Sequence, residues 1–227
     1  MLNLIVVAHP DDEILGFGGT GYIEKQKGNT VQPLILCGEV EARRNKPANY
    51  ELYEDMKKAN SFLGFNEPIL GNFPNLKMNM VPHVEIVQFI EKFIKKFSPD
   101  YIFTHHPYDL NDDHRQVAHA CMAASRISQR QKSIKSLRGL YFMEILSSTE
   151  WSFNSANHGF KPNLFCDITD SIDLKIKALS CYRNVMRDSP HPRSESCLKS
   201  LSIYRGAQIG CLNAEAFEVC FQKGLNV

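Results

Sequence analysis

The feature that most constrains the fold is a repeated exchange between short apolar, β-branched runs and longer stretches of helical periodicity. Residues 2–8 form an apolar run of the kind expected of a strand buried on both faces. A glycine-rich segment, 14–27, then reads as helix and ends near Lys27-Gly28-Asn29. Residues 31–37 read as a second strand. Residues 50–63 read as a helix, with Leu52, Met56, Ala59, Phe62 and Leu63 on one face and Gly64 at its end. Residues 68–79 are irregular. Val84, Val87, Ile90, Ile94 and Phe97 mark a further helix, closed by Ser98-Pro99. Strands follow at 101–104, 140–146 and 164–168, and helices at 117–128, 172–182 and 194–205; residues 214–222 close the chain. Strands alternating with helices imply parallel βαβ units, hence an α/β, Rossmann-like, mostly parallel sheet flanked by helices.

With 227 residues and no internal repeat or linker, residues 1–227 are read as a single domain. Residues 147–161, rich in Ser and Asn, read as a surface insertion. Net charge is +1, which offers no basic surface for a nucleic-acid backbone. The first residues lack a basic leader, and Asp11, Asp12 and Glu13 interrupt the apolar run, so the expected location is the cytoplasm. The cysteines number seven, without a C-x-x-C pair, and read as small buried hydrophobes in a reducing compartment.

In a parallel sheet, function gathers at the carboxyl ends of the strands. The segment leaving the first strand is Ala8-His9-Pro10-Asp11-Asp12-Glu13. Acidic residues favour a first helical turn because they complement its dipole, which accounts for one or two of these carboxylates. It does not account for a His-Pro at the strand end. Spacing by three lets His9 and Asp12 converge on one point, with Asp11 beside it. Gly16-Phe17-Gly18-Gly19-Thr20-Gly21 matches a dinucleotide fingerprint, with Glu39 where a ribose-binding acid would sit. That reading fails on position. The fingerprint needs its first glycine in the turn after the strand, where this chain has three acids that would repel a pyrophosphate. The glycines are read as close helix–sheet packing.

The strand at 101–104 enters His105-His106-Pro107-Tyr108-Asp109-Leu110-Asn111-Asp112-Asp113-His114-Arg115. Two such strand ends would face one crevice. Two histidines and a carboxylate make a three-ligand zinc site with a position left for water. His114 is the favoured third ligand; His105, His106 and His119 are alternatives, of which His119 reads better as a structural residue. His83 and His158 lack acidic neighbours and read as surface residues.

The first motif, with Asp113-His114-Arg115 about a hundred residues later, resembles the LmbE-like, PIG-L family of N-deacetylases across nearly the whole chain. Residues 104–117, Ser147-Ser148-Thr149-Glu150-Trp151, Pro190-His191-Pro192-Arg193-Ser194 and Tyr204-Arg205-Gly206 are similar to a branch found among bacterial surface-polysaccharide genes. The resemblance implies that His9, Asp12 and His114 bind Zn²⁺ and that Asp11 is the general base. The family's usual second cluster carries an oxyanion-stabilising histidine three residues before the ligand, where this chain has Asn111. Asn111 or His191 would take that task, with a rigid surface turn as the plain reading of His191. Asp113 is read either as fixing a ligand histidine's tautomer or as a helix N-cap. An arginine common in the family's second helix has no counterpart here: Tyr53 lies near that point, and Arg43 and Arg44 only in the preceding loop.

The function implied is removal of an N-acyl group, foremost N-acetyl, from an amino sugar or sugar conjugate in polysaccharide or glycoconjugate biosynthesis. The donor is free, nucleotide-linked, lipid-linked or oligomeric. The alternatives are a non-catalytic metal- or sugar-binding protein and an amidase acting on a thiol-linked glycoside. Retention of Asp11, which a passive site would not need, favours the enzyme.

Overall fold

The computed structural model describes residues 1–38, 48–153 and 158–224. Among these residues, one sheet of seven strands runs in the order β3-β2-β1-β4-β5-β7-β6. Its strands are β1 (Leu2–Val7), β2 (Thr30–Ile35), β3 (Ile69–Leu70), β4 (Tyr101–His105), β5 (Gly139–Met143), β6 (Leu164–Asp167) and β7 (Ala214–Gln222). The first five are parallel; β7 runs antiparallel between β5 and β6. The helices are α1 (Asp12–Gln26), α2 (Asn49–Phe62), α3 (His83–Phe97), α4 (Asp112–Ala124), α5 (Ile127–Arg130), α6 (Ile172–Leu179) and α7 (Glu195–Ala207).

The doubly buried strands follow from their side-chain alternation. On β1, Ile5 and Val7 join a core with Phe17, Met56, Phe103, Ile176 and Phe217, while Leu4 and Val6 join another with Ile86, Ile90, Val117 and Leu140. Each face thus meets helices, as a parallel sheet requires. The glycines of α1 lie inside the helix. A Cβ at Gly16 would stand 2.9 Å from the Cβ of Met143 and 2.6 Å from Cδ1 of Ile145, so this glycine allows α1 to approach the sheet.

The sequence reading differs from the structure at three places that matter for the site. Helix α4 begins at Asp112 rather than 117, because Asn111 caps it: its side chain accepts the Asp113 N–H. His114 is thereby fixed in a first helical turn. Residues 214–222 form the longest strand, antiparallel within the otherwise parallel sheet. Of the segment read as a surface insertion, Ser147 and Ser148 line a cavity and Thr149 bonds Asp109, while Phe153 is exposed; 154–157 lie outside the described residues.

Chain order reverses between β1 and β4, whose neighbours β2 and β5 lie on opposite sides. The crevice above that switch point is where an α/β sheet holds ligands. It is also where β1 delivers His9 and β4 leads to His114.

Candidate metal centre and its surroundings

His9, Asp12 and His114 meet at this switch point, all less than a tenth exposed. His9 Nδ1 lies 3.4 Å from Asp12 Oδ2. His114 Nε2 lies 3.2 Å from the same oxygen and 3.3 Å from His9 Nδ1. The three atoms form a nearly equilateral triangle. Tetrahedral ligands about 2.0–2.1 Å from a zinc ion stand about 3.3–3.4 Å apart. The donor set and its spacing therefore fit a tetrahedrally coordinated dication.

Both rings are held from behind by a carboxylate. His9 Nε2 faces Asp113 Oδ2 at 2.9 Å, and His114 Nδ1 faces Asp109 Oδ1 at 3.2 Å. Such partners fix the tautomer that leaves the other nitrogen able to bind metal. Asp113 also accepts the N–H groups of Leu76 and Met78 at 2.6 and 3.1 Å. Asp109 accepts hydrogen bonds from the hydroxyls of Ser148 and Thr149 and from the Asn111 N–H. Asp113 thus makes the histidine contact, while the helix cap is Asn111.

The charges are mutually dependent. Burial alone would lower the His114 pKa, but the Asp12 and Asp109 carboxylates outweigh it and hold the ring at about 9. Burial opposes protonation of His9 too, yet hydrogen bonds to Asp113 and Asp12 raise it well above its ordinary value. Burial would raise Asp12, but His114 and His9 keep it well below the usual carboxylate range. The nest is built for positive charge, supplied by protons or by a metal dication.

The other histidines lie elsewhere. His105 Nε2 accepts the Ala8 N–H at 2.8 Å, and its ring stacks on His114 with centroids 3.7 Å apart. Its lone pair is engaged, and burial followed by the His114 charge lowers it to about 3. It braces the two strand ends. His106 faces Glu218 at 3.4 Å among Tyr108, Phe142 and Phe160. His83, His119 and His158 are exposed. A second grouping, His9, Cys37 and Asp113, is buried on the other side of the His9 ring. There burial pushes the Cys37 thiol up, away from the thiolate a metal needs.

A cavity of about 210 Å³ opens on the triangle, lined by His9, Asp11, Asp12, Asn75, Leu76, Asn111, His114, Ser147, Ser148 and Arg193. Asp11, 1% exposed, has φ 101°, a conformation that Asp tolerates better than most side chains. Its Oδ2 meets Arg193 Nη1 at 3.0 Å. Asn111 directs its amide oxygen to the helix, which leaves its nitrogen as the group it can offer. His191 does not line the cavity. Its Nδ1 accepts the Arg193 N–H at 3.0 Å, and its ring lies 6.5 Å from that of Trp151. Sequence reasoning passed over Asp109, Ser147, Ser148 and Arg193. The only available signal was their presence in the motif segments around His114, Trp151 and His191.

The family of GlcNAc-PI de-N-acetylases, PIG-L, matches residues 4–125. The chain belongs to the PIG-L family. Over 224 residues it is 23% identical to the diacetylchitobiose deacetylase of Thermococcus kodakarensis, covering 93% of this chain and 80% of that protein. The N,N'-diacetylchitobiose deacetylase from Pyrococcus horikoshii, solved with its inhibitor MPG, superposes with a TM-score of 0.79 at 20% identity, over 96% of this chain and 83% of that one. GalB, the 4-carboxy-2-hydroxymuconate hydratase of Pseudomonas putida KT2440, superposes with a TM-score of 0.79 at 17% identity, over 100% of this chain and 98% of that one. These likenesses show the LmbE-like fold; activity has to be argued from the site.

Proposed function

We propose that this PIG-L member is a zinc-dependent hydrolase that removes an N-acyl group, foremost N-acetyl, from an amino sugar or sugar conjugate. The observation that carries the reading is the triangle of His9 Nδ1, Asp12 Oδ2 and His114 Nε2, with the Asp11 carboxylate on the same cavity. The curated relative named a diacetylchitobiose deacetylase supports the substrate class. Biosynthesis of polysaccharide or glycoconjugate is the setting that the surface-polysaccharide motifs suggest, with the cytoplasm as its place. No helix among the described residues is long and apolar enough to cross a membrane.

His9, Asp12 and His114 would hold the zinc, with Asp113 and Asp109 orienting the two rings. Bound zinc would lower the pKa of a coordinated water to about 7 and polarise an acyl oxygen. Asp11 takes a proton from the attacking water and returns it to the leaving nitrogen. The C–N bond breaks as the nitrogen is protonated, giving a free amine and a carboxylic acid. Asn111 Nδ2 offers a neutral hydrogen bond at the cavity wall.

The reading is tested by mass-spectrometric screening of zinc-loaded protein against N-acyl sugars, nucleotide sugars and oligosaccharides. Loss of the acyl mass from at least one N-acyl sugar is expected. Zinc binding with no acyl loss across the panel would contradict the hydrolase assignment.

A further inference from the structure

Among the described residues, Arg193 is the one arginine or lysine lining the cavity beside the triangle. It comes from a segment remote in sequence and is fastened at both ends. His191 Nδ1 holds its backbone N–H, and Ser194 caps α7 immediately after it, accepting the Cys197 N–H at 3.2 Å. At the other end, Nε donates to Ser147 Oγ at 2.6 Å and Nη1 to Asp11 Oδ2 at 3.0 Å. Ser147 is itself fixed: the Glu150 carboxylate accepts the N–H groups of Ser147 and Ser148 at 2.6 and 3.1 Å. A guanidinium has five N–H donors, so these contacts leave further donors on Nη1 and Nη2.

Amide hydrolysis places negative charge on the acyl oxygen, and preorganised donors beside that oxygen accelerate it most. Asn111 offers a neutral donor, and His191 does not line the cavity. We propose that Arg193 is a catalytic residue that binds the acyl oxygen as its charge develops, with Ser147 aiming the guanidinium and the contact with Asp11 holding it beside the base. This rests on reading the site as hydrolytic.

The test measures turnover of an N-acetyl sugar and, separately, calorimetric binding of acetate to zinc-loaded protein. Wild type is compared with Arg193→Ala and Arg193→Gln, after zinc content and thermal stability have been checked; the Gln variant keeps a polar tip should Ala fail to fold. Loss of the cation should lower kcat by about 10²–10³-fold with KM little changed. Added methylguanidine should restore part of it in the Ala variant. Acetate affinity should fall roughly 10- to 100-fold. A kcat loss with acetate binding unchanged would reduce Arg193 to a prop for Asp11 and overturn the proposal. So would wild-type rates in a zinc-loaded variant. If wild type deacylates nothing while acetate binding still falls in the variants, the hydrolase reading fails and the anion site stands.

Discussion

Asp109 and Asp113 decide which nitrogen of each histidine is available. Asp109→Ala or Asp113→Ala should each weaken zinc binding by about 10–100-fold in chelator competition, since each loses the partner that fixes a ring. Unchanged affinity would mean that the rings are held by packing alone. The two were not equally legible. Asp113 adjoins His114 in sequence, and the sequence reading gave it a histidine-orienting role as one of two. Asp109 stands five residues earlier in a loop with no periodic relation to the helix, so no pattern marks it. Arg193 is 182 residues from Asp11, a separation no local motif spans. In its segment the histidine drew attention because imidazole is the usual catalytic type. The turn instead uses His191 Nδ1 to hold the backbone and sends the arginine to the cavity.

At the scale of elements, the first strand and helix were readable because their signals are dense. An uninterrupted apolar run gives a strand buried on both faces, and acids at its end mark the turn. The start of α4 was read late, since its first turn is polar and only the Asn111 cap defines it. The antiparallel β7 was not assigned: its pattern resembles any half-buried segment, and its direction depends on β5 and β6. The packing glycines were readable because acids occupy the turn a dinucleotide would need. Gly16→Ala should therefore destabilise the protein by about 1–3 kcal/mol in denaturant melts, despite a helix-propensity gain of about 1 kcal/mol. The added methyl meets Met143 Cβ at 2.9 Å, an atom tied to the β5 backbone. A stabilised variant would show that α1 does not need this close approach.

For the whole molecule, a metal bound at the triangle would compete with protons for one nest of carboxylates. His114, held at about 9, carries a proton at neutral pH in the metal-free protein, and His9 is raised in the same direction. Zinc needs both rings neutral, so its binding releases protons. Apparent zinc affinity should rise as pH is raised from 6 toward about 9 and then level off. Calorimetry at pH 7 should give enthalpies that depend on the buffer's own ionisation heat. Affinity independent of pH would show that the rings are already neutral. The linked effect on stability has a definite sign. A pKa raised from 6.5 to about 9 stabilises the metal-free fold fully below 6.5, and this is lost as pH rises through about 9.

In the proposed function Asp11 is the base of a zinc hydrolase, beside the metal without binding it. Asp11→Asn keeps the size, suits the positive φ and removes the proton acceptor. The decisive measurement is the rate of acyl release by this variant, taken on samples whose zinc content is determined in parallel. Zinc at wild-type stoichiometry with kcat lowered by about 10²–10⁴-fold is the predicted result. Deacylation at the wild-type rate with zinc in place would contradict the account.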